Sequence, residues 1–536
     1  MLRSGVSGLF SGFDISGWKA LSLAFFVGFV IRLVPELLSY PFPIGFDTVY
    51  YAWTLKSGVV WYNWSQIFST TWLLSAILVP IYKLIGGDPF MLLKAAASML
   101  FGLNALGIYF FAKKALNWTD RKALFCSFVF SLQIAALAIS WGLYSNLLGM
   151  AVLLFALPFL KNVGKNWRGF SIFVGLSILV VFSHQFASVA LFVAAFAVAL
   201  RGFLKKAITE ALRVMCAVIP ALGLFVVSIF LTVFPISFSV PGLDYITAYQ
   251  SLGHYSGVLF FFTNYLRVSD SFQSYSSYLA LFSSVASLFL LLFLFLLPLI
   301  LLGFFREPIL DGWTGLLLVG SLGALVLPWF ALDEWSRWML MLVYPFTFYV
   351  ANGVTKVLHS DCMSGSLPGR GLDWVKLSKR AIAGLLVVSF CLASVFMVCP
   401  LVDGRFGLVG LPTTVDYVPS SMQSNTLPLI DVNSAIAALK WVNTQMSGTS
   451  AFLAQNAFLW WSLLYLNDTR AIVYFDSSFD SAISAAFTHG FSMCYFVWWN
   501  TDIGWYGVTV PSYFVPLKSF GRISVYVYAG ENLNGN

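Results

Sequence analysis

The chain carries few ionisable side chains outside its basic loops, and those few define one set of candidate reacting groups. In FPIGFDTVYYAW, Phe42 to Trp53, a single carboxylate, Asp47, is followed by Tyr50 and Tyr51. A carboxylate at a boundary between water and lipid can act as a general base or hold a metal. An acid just before TVYYAWTL also has the plainer reading of a helix cap. Arg32 and Glu36 lie one helical turn apart upstream, either as an i,i+4 ion pair or as the costly, functional charges found near membrane interiors. In DEWSRWMLMLVYPF, Arg337 follows Asp333 and Glu334. Its guanidinium can clamp a phosphate in bidentate fashion, or pair with one of those acids. Tyr144 and Asn146 in WGLYSNLLG can hydrogen-bond a polar ligand, unless Ser145 or Asn146 serves as a cap. His184 in FSHQFASVA is a lone histidine with a structural reading beside that of a ligand contact. The candidate substrate-binding residues are therefore Tyr50, Tyr51, Tyr144, Asn146, His184 and Glu334.

The elements that must hold these groups are membrane spans. Of 536 residues, 59% are hydrophobic and 10% charged, with a mean hydropathy of +0.85, outside the range of an ordinary soluble domain. Apolar runs long enough to cross hydrocarbon fall near 18 to 38, 92 to 112, 122 to 141, 146 to 160, 170 to 184, 186 to 200, 214 to 234, 278 to 304, 314 to 332, 337 to 357 and 381 to 400. The first, Trp18 to Leu38, lacks a small-residue cleavage site and reads as a retained helix. The net charge of +8 sits mostly in short loops between these runs, which argues for the positive-inside rule and against a nucleic-acid partner. That rule predicts a cytoplasmic N-terminus. The six cysteines show no CxxC spacing, so packing is a better account of them than zinc or disulfides.

On this map the polar candidates gather on the outer face. The segment Gln66 to Gly87 is read as a juxtamembrane or re-entrant helix there, the alternative being a twelfth span. Residues 1–400 form the membrane part, with an outer loop over 39–90, and residues 401–536 a small mixed α/β extracytoplasmic tail. Within that tail, DVNSAIAALKWVNTQM reads as a helix capped by Asp431 or Asn433, and TRAIVYF and RISVYVYA read as strands. Asn63, Asn117 and Asn467 begin Asn-X-Ser/Thr triplets, with Asn63 and Asn467 predicted outside and Asn117 inside.

An acid directly after the first span, about eleven spans and an outer arginine together resemble the GT-C superfamily of integral-membrane glycosyltransferases, which includes the oligosaccharyltransferase catalytic subunit and the protein O-mannosyltransferases. GFDTVYYAW looks like the family's first-loop motif, with Asp47 in the place of the acid. The resemblance implies a core of 11 to 13 transmembrane helices and a polyprenyl-phosphate-linked sugar donor. It also implies an arginine on the donor phosphate, matched best by Arg337, with Arg32 as a second candidate. The acceptor would be a glycan or protein. Trp460 and Trp461 resemble the start of the oligosaccharyltransferase WWDYG motif, but Ser462, Leu463 and Leu464 follow them, and the second outer loop has Ser145 and Leu147 where a metal-binding member carries acids. A divalent cation, Mg or Mn, would then rest on Asp47 alone and bind weakly. The expectation is an inverting, outer-face glycosyltransferase with Asp47 as base. The alternative is a non-catalytic transporter or assembly scaffold for lipid-linked glycans, and a sequon-directed oligosaccharyltransferase ranks below both.

Overall fold

Inside lipid a helix satisfies every backbone group within its own segment, so apolar runs of spanning length fold as helices. The computed structural model describes residues 17–60, 71–233, 245–247, 277–327, 332, 334–359, 371–399, 421–476, 478–501 and 508–529. Asn63, Asp333 and Cys362 lie outside the described residues. The first half contains α1 (Trp18–Leu38), α2 (Thr48–Ser57), α3 (Leu73–Ile85), α4 (Pro89–Lys114), α5 (Asp120–Ser131), α6 (Ile134–Ile139), α7 (Tyr144–Ala156), α8 (Leu160–Val163), α9 (Trp167–Ser183), α10 (Gln185–Leu204) and α11 (Ile208–Val233). There follow α12 (Tyr278–Phe293), α13 (Leu297–Gly303), α14 (Pro308–Val326), α15 (Trp335–Met341), α16 (Val343–His359) and α17 (Gly371–Val398). Among the described residues seven helices are long and apolar enough to cross a membrane, or eight if the bent α12–α13 pair is one span. The chain is a polytopic α-helical membrane protein.

Two departures from the expected spans have local causes. The run 122–141 breaks between α5 and α6 at Leu132 and Gln133, and the Gln133 amide donates to Thr347 Oγ1 at 2.7 Å. The run 278–304 bends by 76°, with Pro298 in the first turn of α13. The residues at that break, Leu294, Phe295 and Leu296, are apolar, unlike the polar breaks that transporters use to hold ions. The described part of Gln66–Gly87 forms α3, 13 residues packed against α2, α7 and α9. At a rise of about 1.5 Å per residue it is about 20 Å long, short of the hydrocarbon core of about 30 Å.

The tail packs two further helices and a sheet. Helix α18 (Leu429–Gln445) precedes β2 (Ser450–Gln455), α19 (Asn456–Tyr465), β3 (Ile472–Phe475), α20 (Phe479–Thr488), β4 (Met493–Trp499), β5 (Val515–Phe520) and β6 (Ile523–Ala529). A short strand between α11 and α12, β1 (Ile246–Thr247), adds to the same sheet, whose order is β1-β3-β2-β4-β6-β5. Strands β1, β3, β2 and β4 run parallel, and β6 and β5 close the far edge antiparallel. Neither Asp431 nor Asn433 caps the helix, because α18 begins earlier, behind Pro428. Asp431 is instead buried in the first turn, accepting from Arg522 at 2.7 and 3.1 Å and from the Trp499 indole at 2.9 Å.

Polar contacts sort the loops to two ends of the bundle. At one end Lys113 pairs with Asp120 at 2.9 Å and Lys161 with Glu307 at 3.0 Å, while Lys122 donates to Asn352 and Lys356 to the carbonyls ending α13. At the other end, the last turn of α1 carries a buried triad. Glu36 meets Arg32 at 2.7 Å and Lys94 of α4 at 3.1 Å, with Arg32 and Glu36 0% and 1% exposed. Lys94 also donates to Ser39 Oγ at 2.8 Å, and Arg32 donates to the Ser140 carbonyl at 3.2 Å. Removing one partner from such a buried set leaves an uncompensated charge. Glu36→Gln should therefore cost about 3–5 kcal/mol, measurable as a lowered thermal midpoint of the detergent-solubilised protein; a midpoint equal to wild type would show that the triad does not hold the bundle.

Candidate functional site

The Asp47 loop is shaped by backbone approach before any side chain takes part. Gly45 and Gly142 both adopt positive φ, 97° and 92°. A Cβ on Gly45 would stand 2.6 Å from the Gly142 nitrogen, and one on Gly142 would stand 3.0 Å from the Asp47 nitrogen. Only glycine permits the Trp141–Gly142 turn to lie against the loop this closely. The Ser424 carbonyl of the tail then accepts from both the Gly45 N–H and the Trp141 indole, each at 2.7 Å. Thr48 Oγ1 donates to the Ile44 carbonyl and lies 3.3 Å from the Tyr144 hydroxyl.

Asp47 occupies the N-cap position of α2, yet its side chain makes no cap hydrogen bond. Its carboxylate is half-buried, and burial raises its pKa above the usual 3.8 while Arg337 acts in the opposite sense. Glu334 adds a smaller upward push. Arg337 Nε in turn binds Glu334 Oε2 at 3.0 Å, as the plainer reading of that arginine anticipated. Asp333, the other acid of that reading, lies outside the described residues.

His184 joins α9 to α10 and caps α10, its Nδ1 accepting from the Phe186 N–H at 3.1 Å. That bond leaves the proton of the neutral ring on Nε2. Burial, with the Arg337 charge nearby, pushes the imidazole down to about 3, so the ring is neutral near pH 7. Arg337 thus lies within electrostatic reach of both Asp47 and His184. Tyr51 stacks on Tyr144 with ring centres 5.2 Å apart and shares a 3.2 Å hydrogen bond with Ser145. Burial raises the Tyr50 and Tyr51 phenols, and the Asp47 charge adds to it, so both remain protonated.

Other expected residues are placed differently. Arg32 is fully buried, paired with Glu36 and donating to the Ser140 carbonyl. Neither Ser145 nor Asn146 caps α7. Asn146 is 3% exposed, and its Oδ1 has no hydrogen-bond partner among the described residues. Among the described residues no group of three or more His, Cys, Asp or Glu side chains is arranged to hold a metal ion. Asp47 and Glu334 alone do not form a cation cage of the usual ligand number.

The residues that sequence reasoning passed over are Lys94, the strap Ser421–Leu427 and the docking of α19. Trp460 of α19 packs edge-on against Tyr50 at 4.7 Å and tilted against Trp53 at 5.7 Å, and Lys56 of α2 donates to the Leu464 carbonyl at 2.6 Å. Trp461 is buried, its indole donating to Thr426 at 2.9 Å. Only the paired tryptophans gave a signal for this contact.

No protein-family model matches the chain, and no curated protein sequence does. Solved structures do. The Archaeoglobus fulgidus oligosaccharyltransferase in its apo form is 11% identical with a TM-score of 0.48, over 90% of this chain and 69% of that one. The same enzyme in complex with Zn and sulfate gives 11%, 0.47, 89% and 67%. ArnT from Cupriavidus metallidurans, bound to undecaprenyl phosphate, gives 10%, 0.45, 98% and 99%. An oligosaccharyltransferase is thus among the similar structures, as the sequence resemblance anticipated. At these scores the likeness assigns no activity and no residue roles.

Because the Arg337 cation favours the charged form of Asp47, its removal must raise the Asp47 pKa further. Carbodiimide labelling of the Asp47 peptide, followed by mass spectrometry across pH, should therefore show a midpoint moved to higher pH in Arg337→Gln. A midpoint that stays put would mean that the two charges do not sense each other.

Proposed function

We propose that the chain is a membrane glycosyltransferase that transfers a sugar from a polyprenyl-phosphate-linked donor to an acceptor hydroxyl on its outer face, with inversion. The observation that carries this reading is Asp47: a half-buried carboxylate that no helix cap uses, within electrostatic reach of Arg337. In the proposed step Asp47 takes the proton of the acceptor hydroxyl. The hydroxyl oxygen bonds to the anomeric carbon as the bond from that carbon to the donor phosphate breaks, and the polyprenyl phosphate leaves. Arg337 balances the charge gathering on the departing phosphate, and His184 offers its Nε2–H to the same group or to the sugar. Tyr50 and Tyr51 supply protonated phenols beside Asp47 for further hydrogen bonds. A hydroxyl acceptor, on a glycan or a protein, suits a single carboxylate base. The lone pair of an asparagine amide is delocalised into its carbonyl and needs more activation than one carboxylate supplies.

The base assignment predicts that Asp47→Asn lowers kcat by about 100- to 10,000-fold in purified protein given polyprenyl-phosphate-linked hexoses, with donor binding retained. Arg337→Ala should instead weaken donor binding and lower kcat together. Transfer by Asp47→Asn at the wild-type rate would exclude the mechanism.

The basic end of the bundle fits the cytoplasmic side under the positive-inside rule, which puts the Asp47 end and the tail outside. Asn117 and Asn467 are both exposed, at opposite ends. Expression in a host that glycosylates Asn-X-Ser/Thr should therefore modify Asn467 and leave Asn117 bare; the reverse pattern would invert the map.

A further inference from the structure

We infer that Asn425 is a positioning residue for Asp47: with its neighbour Ser424, it holds the Asp47 loop against the Trp141 turn. The inference rests on the reading of Asp47 as the base, and it concerns what aims that base. The Asp47 side chain is not fixed by a cap hydrogen bond to α2, so its direction depends on the backbone of Pro43 to Thr48 that carries it.

That backbone is gripped from the tail at two points. Asn425 Nδ2 donates to the Pro43 carbonyl at 3.0 Å, and Asn425 Oδ1 accepts from the Leu427 N–H at 2.6 Å. The two contacts fix which way round the amide sits, since the nitrogen faces an acceptor and the oxygen a donor. One residue earlier, the Ser424 carbonyl takes the Gly45 N–H and the Trp141 indole N–H together. The loop, at Gly45 two residues before Asp47, and the turn facing it are thus tied to a single carbonyl.

The strap can serve as a reference because it is itself fixed. Ser421, Ser424 and Asn425 are each 0% exposed, Thr426 is 1% exposed, and the Met422 N–H donates to the Phe396 carbonyl of α17 at 2.7 Å. Polar groups buried to this degree are costly unless bonded, so their partners select one arrangement. If Asn425 served only to anchor the tail, its loss would lower stability without touching the reaction rate.

Full-length Asn425→Ala and Asn425→Asp proteins separate these roles. The aspartate keeps the acceptor for Leu427 and loses the donor to Pro43. Amide hydrogen exchange should rise in the peptide spanning 42–48 in both variants, while β2 and β3 keep their protection. Transfer from polyprenyl-phosphate-linked hexoses should show kcat lowered by about 10- to 100-fold, the scale expected for a displacement of about 1 Å, with KM for the donor unchanged. Unchanged exchange at 42–48, or faster exchange with unchanged kcat, would overturn the assignment. Faster exchange across the whole tail would also overturn it, making Asn425 a folding residue. Should Asp47→Asn itself prove fully active, the base assignment fails, while the exchange result still decides whether Asn425 holds the loop.

Discussion

The carboxylate of Glu36 lies between two buried cations, and the site end of the bundle is built around it. Arg32 and Lys94 approach it from α1 and α4, each 7% exposed or less. An ion set of this kind is seldom more stabilising than apolar packing of the same volume, because two or three charges must shed their water. What it supplies is direction. Arg32 extends to the Ser140 carbonyl, which precedes the Trp141–Gly142 turn, and Lys94 extends to Ser39, whose hydroxyl also reaches the Phe42 carbonyl at 3.2 Å. The triad therefore sets both the loop that carries Asp47 and the turn that faces it.

At Asp47 two effects oppose each other. Burial disfavours the carboxylate, and the Arg337 field favours it. A base is most effective when its pKa lies near the working pH, because a strongly depressed carboxylate is ionised but a poor proton acceptor. For the proposed base, burial raises the Asp47 pKa toward that range, and Arg337 acts in the opposite sense. Glu334 pairs with Arg337 through Nε, and both charges act at Asp47 in opposite senses, while the Arg337 charge is also felt at His184.

The membrane part was legible in the sequence because hydrophobic length is a local property. Each expected span falls mainly on one helix or two consecutive ones, and the polar turns at Asp47, Trp141, His184 and Arg337 were recognisable as interruptions. What was not legible depends on partners far away in the chain. Lys94 sits early in a long apolar helix and is explained by Glu36 and Ser39, 58 and 55 residues before it. The strap SMQSNTL has neither helical nor strand period, so it reads as loop, yet it is buried through bonds to residues near 43, 141 and 396. Strand β1 is two residues long and exists only because β3 lies alongside it. Asp431 was legible as a helix-start acid, but its true partners, Trp499 at the end of β4 and Arg522 in the turn between β5 and β6, lie 68 and 91 residues further along the chain.

These distant contacts converge on one requirement. A general base must keep a carboxylate lone pair free for the incoming proton, so not every acceptor site can be spent on holding it rigid. In the proposed role Asp47 meets that condition by standing at a helix N-cap without capping the helix. The rigidity must then come from backbone neighbours. Here it comes from three sources: the Glu36 triad on the membrane side, the Gly45–Gly142 approach between the loops, and the Ser424–Asn425 contact from the tail. The tail also meets α2 directly through Trp460 against Tyr50 and through Lys56 on the end of α19. A tail that merely hung from the last span would need none of these bonds, and its polar strap would be better solvated than buried.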